Sequence, residues 1–314
     1  MAQARRLVRP LDAAGLAIML GLCLVWGFQQ VAMKAMAGAA DPLLQVAVRS
    51  SGAALLVWAY SRFWRRDRWL AGLTWREGLL VGALFGVEYL FVGIGLRHVG
   101  SGLMSILLYT APLFVAVSLH LTLREERLTG RQWIGCLLSF AGVVVIFLRP
   151  GEALRSEEGA ALLLAGSVCA LLAGFCWGMT TVAVRLTRLS GAPFAQTLFY
   201  QLLGGALCAW PVVLAEGRTG WAGGLDLWLL TFYQTVIVCF ASYLVWFWLL
   251  QRYLASRLGA MSLLSPLFAA ALGAALLREP LTPGFLLATA LIVAGLVTVM
   301  LHDRRERPRL LPPR

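Results

Sequence analysis

Apolar runs of about 18 to 24 residues, the length a helix needs to cross a bilayer core about 30 Å thick, recur from one end of this chain to the other. Inside hydrocarbon every backbone amide and carbonyl must find a partner within the protein, which a helix achieves by itself. The runs between charge and turn clusters therefore predict an all-α integral membrane protein of ten transmembrane helices, near 13–36, 42–61, 77–96, 101–123, 131–149, 160–184, 193–215, 226–250, 256–277 and 283–302. Composition agrees: only 13% of the residues are charged, against roughly 25% in soluble domains.

A net charge of +12 raises nucleic acid as a partner, but the arginines sit in short segments between apolar runs, so nucleic acid is excluded and topology explains them. With the amino terminus inside, only Arg97, Arg149, Arg155, Arg218 and Arg278 fall outside. Lys34 and Arg49 lie within spans, and the rest of the 27 basic residues are on the inner side. Both termini are then cytoplasmic in a multi-pass cell-membrane protein, the inner membrane if the source is a bacterium. Residues 1–12 form a cytoplasmic tail, 150–159 an external linker and 303–314 a basic cytoplasmic tail. Arg5, Arg6, Arg9 and the string Ala35-Met36-Ala37 imitate a cleavable signal, but the run from about 13 to 33 exceeds a typical signal core and has a counterpart later in the chain, so it is kept as the first span.

That counterpart belongs to an internal repeat. Trp26-Gly27 matches Trp177-Gly178 at an offset of 151, as do Val31 with Val182, Lys34 with Arg185, Pro42 with Pro193 and Gln45 with Gln196. At an offset of 154, Tyr89-Leu90 matches Tyr243-Leu244, Pro112-Leu113-Phe114 matches Pro266-Leu267-Phe268, and Arg124-Glu125 matches Arg278-Glu279; Ala141-Gly142 meets Ala294-Gly295 with a one-residue slip. Five spans per copy is an odd number, so the copies 13–149 and 160–302 must enter the bilayer from opposite sides. Two inverted five-helix repeats are an architecture used for alternating access.

These motifs resemble the EamA family of the drug/metabolite transporter superfamily, over nearly the whole chain and in two copies. The first copy carries Leu24-Val25-Trp26-Gly27 with Lys34, Ala47-Val48-Arg49, Ala111-Pro112-Leu113-Phe114, Arg124-Glu125 and Gly142. The second carries Trp177-Gly178, Ser265-Pro266-Leu267-Phe268, Leu277-Arg278-Glu279-Pro280-Leu281-Thr282 and Ala294-Gly295. The resemblance implies a ten-helix, exporter-like fold with a central cavity between the halves, often handling amino acids or related metabolites. Glu88 is not part of the family pattern, so coupling and substrate are not inherited from it.

Glu88 lies about 11 residues into the third span, roughly 16 Å along a helix and near the midplane. A carboxyl there needs a proton or a cationic partner, and so serves a substrate ammonium, proton coupling, or a structural hydrogen bond. Gly78, Gly82, Gly86 and Gly93 project within an arc of about 80° on the same helix, with Glu88 roughly 125° away, leaving the glycines to pack on a neighbour. Trp26, Gln30 and Lys34 share one face of the first span, and Trp177, Thr181 and Arg185 share one face of the sixth. Each face offers an aromatic ring, a hydrogen-bonding group and a cation, either for gating and substrate binding or for interfacial snorkelling. Arg49, about seven residues into the second span, stays charged and needs a carboxylate or carbonyls. Pro112 and Pro266 remove amide donors mid-span and free the carbonyls of Leu108 and Ser262, either shaping a cavity or a hinge or serving packing alone.

A secondary transporter, an exporter of small polar metabolites such as amino acids, follows as the functional expectation, with cationic-drug export, a channel or a scaffold as alternatives. GxxxxGK[ST], HExxH and GxSxG are absent, the histidines are scattered, and the six cysteines all lie in apolar runs without a CxxC. Neither an enzyme nor a bound cofactor or metal is expected. The expected partners are a small-molecule substrate and the lipid bilayer, with proton coupling and a homodimer left open. Cysteine placed at position 155 should react with an impermeant maleimide on intact cells and cysteine at position 66 should not; labelling of 66 would reverse the orientation.

Overall fold

Two aspartates begin the first two helices. The Asp12 carboxylate accepts the Gly15 amide at 2.7 Å at the start of α1, Ala13–Ala35. Asp41 accepts the Leu43 amide at 2.9 Å at the start of α2, Pro42–Ala59, where Pro42 occupies a position whose missing donor costs nothing. The computed structural model describes residues 12–70, 75–122, 128–148, 157–250, 252–253, 258 and 261–302. The tail before residue 12, the linker over 149–156, Glu125 and the tail after 302 lie outside the described residues.

α2 runs on as a π-helical turn, Tyr60–Arg65. α3 is Trp75–Leu96, α4 Ser101–Leu108, α5 Ala111–Thr122 and α6 Gly130–Leu148. α7, Glu157–Leu186, leads through a 3₁₀ turn at Arg188–Gly191 into α8, Phe194–Ala215. α9, Leu225–Phe232, passes through a π-helical stretch, Tyr233–Ser242, into α10, Tyr243–Leu250. α11 is Leu264–Leu277 and α12 Pro283–His302. Among the described residues there is no strand, only an isolated bridge between Ala40 and Trp221. Seven of the helical segments are long and apolar enough to cross a membrane, counting Ser101–Thr122 and Leu225–Leu249 as one each. Gly130–Val145, Leu264–Leu277 and Pro283–Thr298 are apolar but shorter. The expected start of the ninth span at 256 falls among residues that are largely outside the description.

Leu55, Leu79, Phe140 and Leu207 are each more than 60% exposed. Leucine and phenylalanine at that exposure in long uncharged helices fit a hydrocarbon solvent, and the chain is a multi-pass membrane protein.

Close approach of helices is achieved by glycine. The stripe on α3 packs on α8: a Cβ at Gly78 would come 2.7 Å from the Tyr200 ring, one at Gly82 2.7 Å from the Tyr200 carbonyl oxygen, and one at Gly86 2.6 Å from the Gly204 carbonyl oxygen. Gly93, on the same side further along the helix, lies against Leu43 of α2 instead. α1 and α11 meet where a Cβ at Gly27 would come 2.7 Å from Phe268 Cβ and 2.8 Å from the Ser265 carbonyl oxygen. α7 and α5 meet in the same way, with Gly178 against Phe114 Cβ and the Ala111 carbonyl oxygen, both at 2.9 Å. α6 and α12 pair through Gly142 and Gly295, and Ser139 Oγ donates to the Ile292 carbonyl at 3.1 Å.

Gly82→Val should therefore lower the thermal midpoint of the purified protein by the equivalent of about 1–3 kcal/mol, the usual cost of overpacking. Gly21→Ala, at an exposed helical glycine with nothing within 4 Å, should leave it unchanged or slightly higher.

Candidate substrate site

α1, α2, α3 and the π-helical stretch meet around a buried polar cluster. Its centre is Arg49, only 1% exposed. Arg49 Nη1 donates to Gln234 Oε1 at 3.0 Å, and the guanidinium lies over the Tyr89 ring, 4.3 Å from its centroid. The expected partner was a carboxylate or carbonyls; a side-chain amide and a ring face take that place. Gln234 Nε2 donates to the Gln29 carbonyl at 3.1 Å, Gln29 Nε2 to Tyr89 Oη at 3.5 Å, and the Tyr89 and Tyr243 hydroxyls are 3.0 Å apart. One connected set of bonds thus joins all four elements.

Glu88 is 3% exposed and its Oε2 has no hydrogen-bond partner. Arg49 is within electrostatic reach but forms no ion pair with it. Arg49 Nε and Gln30 Oε1 are also buried without partners. An orphaned buried polar group costs about 1–3 kcal/mol, so Glu88 Oε2 and Arg49 Nε, within electrostatic reach of one another, mark a place where binding can repay that cost.

The two expected faces are not equivalent. On α1, Trp26 Nε1 donates to Ser242 Oγ at 2.9 Å and its ring meets Trp246 edge-on, Gln30 is buried, and Lys34 Nζ donates to the Leu96 carbonyl at 2.6 Å. On α7, Trp177 packs edge-on against Tyr109 with centroids 5.1 Å apart, but Thr181 is exposed and donates to its own Trp177 carbonyl, and Arg185 is exposed. The α1 face thus bonds to the π-helical stretch through Trp26 and to the end of α3 through Lys34, whereas on the α7 face only Trp177 packs on a buried ring. Ser242, the counterpart of Glu88 at the 154 offset, holds Trp26.

Pro112 follows a break at Tyr109–Thr110 between α4 and α5. A Cβ at Gly174 would come 2.9 Å from the Leu108 carbonyl oxygen, so α7 passes directly over the freed carbonyl. Pro266 sits in the first turn of α11, and just before it Cys23 Sγ donates to the Met261 carbonyl at 3.3 Å. Both breaks are thus covered by a neighbouring helix.

At one end of the bundle Arg97 binds Asp41 through Nε and Nη2, at 3.1 and 2.9 Å, and Glu216 at 2.9 Å; Arg218 bridges Glu216 and Asp41. Burial works against the Arg97 charge, but its bonds to Asp41 and Glu216 outweigh that and hold its pKa above the usual guanidinium value.

Comparison with known proteins matches the model of the EamA-like transporter family over residues 13–148 and again over 164–301. The chain belongs to the EamA-like transporter family. It is 26% identical over 284 residues to the uncharacterized transporter YoaV of Bacillus subtilis, covering 89% of this chain and 95% of that one. It is 27% identical over 302 residues to the uncharacterized transporter sll0355 of Synechocystis, covering 91% and 88%. A probable amino-acid metabolite efflux pump of Salmonella typhimurium is 28% identical over 283 residues, covering 87% and 90%. A solved crystal structure superposes with a TM-score of 0.65 at 22% identity, over 93% of this chain and 98% of that one, and shares the fold. The family and these relatives are named as transporters, not enzymes.

Gln29 and Gln234 carried no motif and were missed in the sequence. Tyr89 and Tyr243 were legible only as a matched pair in the repeat. Gln234→Leu leaves the buried guanidinium without its acceptor and should cost about 3 kcal/mol or more, the range for stranding a buried charge. Tyr243→Phe removes one neutral bond and should cost about 1 kcal/mol. Equal small losses in detergent unfolding would mean that Arg49 is satisfied in another way.

Proposed function

We propose that this EamA-like protein is a secondary transporter that exports small polar metabolites such as amino acids by alternating access around the Arg49–Gln234–Tyr89–Tyr243 cluster. The observation that carries this reading is the buried, unpaired carboxyl of Glu88 within electrostatic reach of a buried guanidinium. One group suits an ammonium or a proton and the other a carboxylate. The name of the Salmonella relative supports the substrate class.

The architecture in this reading is ten spans in two inverted repeats, 13–149 and 160–302, with both termini cytoplasmic. Reciprocal packing supports it: Gly27 of the first half meets Ser265 and Phe268 of the second, and Gly178 of the second meets Ala111 and Phe114 of the first, each pair of partners separated by the same offset of 154. Trp26, Gln30 and Trp177 form the wall facing the substrate, and Lys34, Thr181 and Arg185 stand towards the two ends. Pro112 and Pro266 set the bends of the helices that rock. A second reading, export of cationic drugs, is favoured by the same unpaired carboxyl.

A thermal-shift screen against amino acids, nucleosides, sugars and cationic drugs finds the ligand class, because binding to the folded state alone raises its stability. Counter-transport in sealed vesicles then separates a carrier from a channel: internal unlabelled ligand should accelerate uptake of labelled ligand, and its failure to do so would support a channel. Glu88→Gln should fold normally and either weaken cationic ligands selectively or abolish the pH dependence of transport for all ligands. An unchanged affinity and pH profile would make Glu88 structural.

A further inference from the structure

We propose that Glu279 is a gating residue, whose carboxylate clasps the start of α4 to the loop after α11 and holds that end of the bundle shut. This rests on the transporter reading above. Glu279 Oε1 accepts the Ser101 amide at 2.7 Å, and Oε2 accepts the Ser101 hydroxyl at 2.9 Å and the Gly102 amide at 3.2 Å. Gly100, at the cap position of α4, has no side chain to cap with, so the capping group is imported from 178 residues further along the chain.

The slot that receives the carboxylate is built for it. A Cβ at Gly100 would lie 2.9 Å from Glu279 Cδ, and one at Gly273 would lie 2.5 Å from Oε2 and 2.6 Å from Ser101 Oγ. Arg278, immediately before it, takes a left-handed φ of 56°, a conformation that non-glycine residues adopt at a cost. That turn lets the Glu279 amide bond back to the Gly273 carbonyl at 3.2 Å while the side chain swings across to α4.

The clasp is continuous with its neighbours. Lys34, within electrostatic reach of Glu279, donates from α1 to the Leu96 carbonyl, and the next residue, Arg97, grips Asp41 and Glu216. Leu96 and Arg97 thereby tie α1, α2, α3 and α8 at the end where Glu279 joins α4 to α11. At the opposite end Arg65 and Asp67 form a local ion pair, within one turn of chain. A cap formed across the interface between α4 and α11 cannot persist when those helices separate, so opening this end requires Glu279 to leave its slot.

The test uses Ser105→Cys in an otherwise native chain, since Ser105 is one turn below the clasp and fully buried. Its reaction with a membrane-impermeant maleimide, added to sealed vesicles from the clasp side, is located by mass spectrometry, which distinguishes it from the six native cysteines. Adding Glu279→Ala or Glu279→Gln should speed labelling at position 105 on the order of tenfold. Gly273→Ala, which crowds the carboxylate without deleting it, should act in the same direction and serves if the Glu279 variants fail to fold. Labelling at the parent rate in these variants, with only a lower melting temperature, would reduce Glu279 to a helix cap and overturn the proposal. The readout needs no substrate, so failure of the clasp shows here and failure of the transporter reading shows separately in the counter-transport assay.

Discussion

Arg49 is a charge that cannot be discharged. A guanidinium keeps its proton at any ordinary pH, and placed at 1% exposure among apolar helices it must be solvated by the protein itself. The amide of Gln234 and the face of Tyr89 do this, and each brings its own element into place: Gln234 ties the π-helical stretch to α1 through the Gln29 carbonyl, and Tyr89 ties α3 to Tyr243. The centre is therefore organised by hydrogen bonds rather than by the non-specific pressure that builds a water-soluble core. In lipid that pressure between helices is absent, and close backbone approach has to supply the rest.

The glycine contacts meet that second need. Where α3 crosses α8, and where α1 crosses α11, backbone touches backbone or the root of a side chain, with no room for a Cβ. On α3 one side serves both needs in turn: Gly82 and Gly86 lie against α8, and Tyr89, seven residues after Gly82 and so on nearly the same side, meets the guanidinium. Glu88 projects away from that side and is within electrostatic reach of Cys176 on α7.

Much of this was legible in the chain, for identifiable reasons. Spans are written as uninterrupted apolar length, and glycine spacing marks the face of closest approach, so apolar helices and the packing face of α3 could be read, but not that α8 is its partner. Arg49 and Glu88 stood out because charge is conspicuous in an apolar run. Gln29 and Gln234 did not, because a neutral amide in a span carries no periodic signal and becomes meaningful only when the fold sets it beside a charge. The α7 face was open to two readings for a related reason: Trp177, Thr181 and Arg185 share a helical stripe, but helical spacing does not say what a stripe faces, and Thr181 and Arg185 are exposed. Glu279 showed only as part of a repeated Arg-Glu pair, since nothing local tells that Ser101 lies within its reach.

The π-helical stretch also accounts for an irregularity in the chain's own arithmetic. The offset between matched residues is 151 through Gln45 and Gln196 but 154 from Tyr89 and Tyr243 onward, so the second half has gained residues between those points. Tyr89 lies 14 residues after the start of α3, and Tyr243 lies 18 residues after the start of α9. A π-helix fits more residues into each turn than an α-helix does, so Tyr233–Ser242 takes up part of the surplus within the helix. That part of the insertion is absorbed as local widening. Tyr243 still points at Tyr89, and a lengthened sequence is threaded through an unchanged bilayer without lengthening a loop.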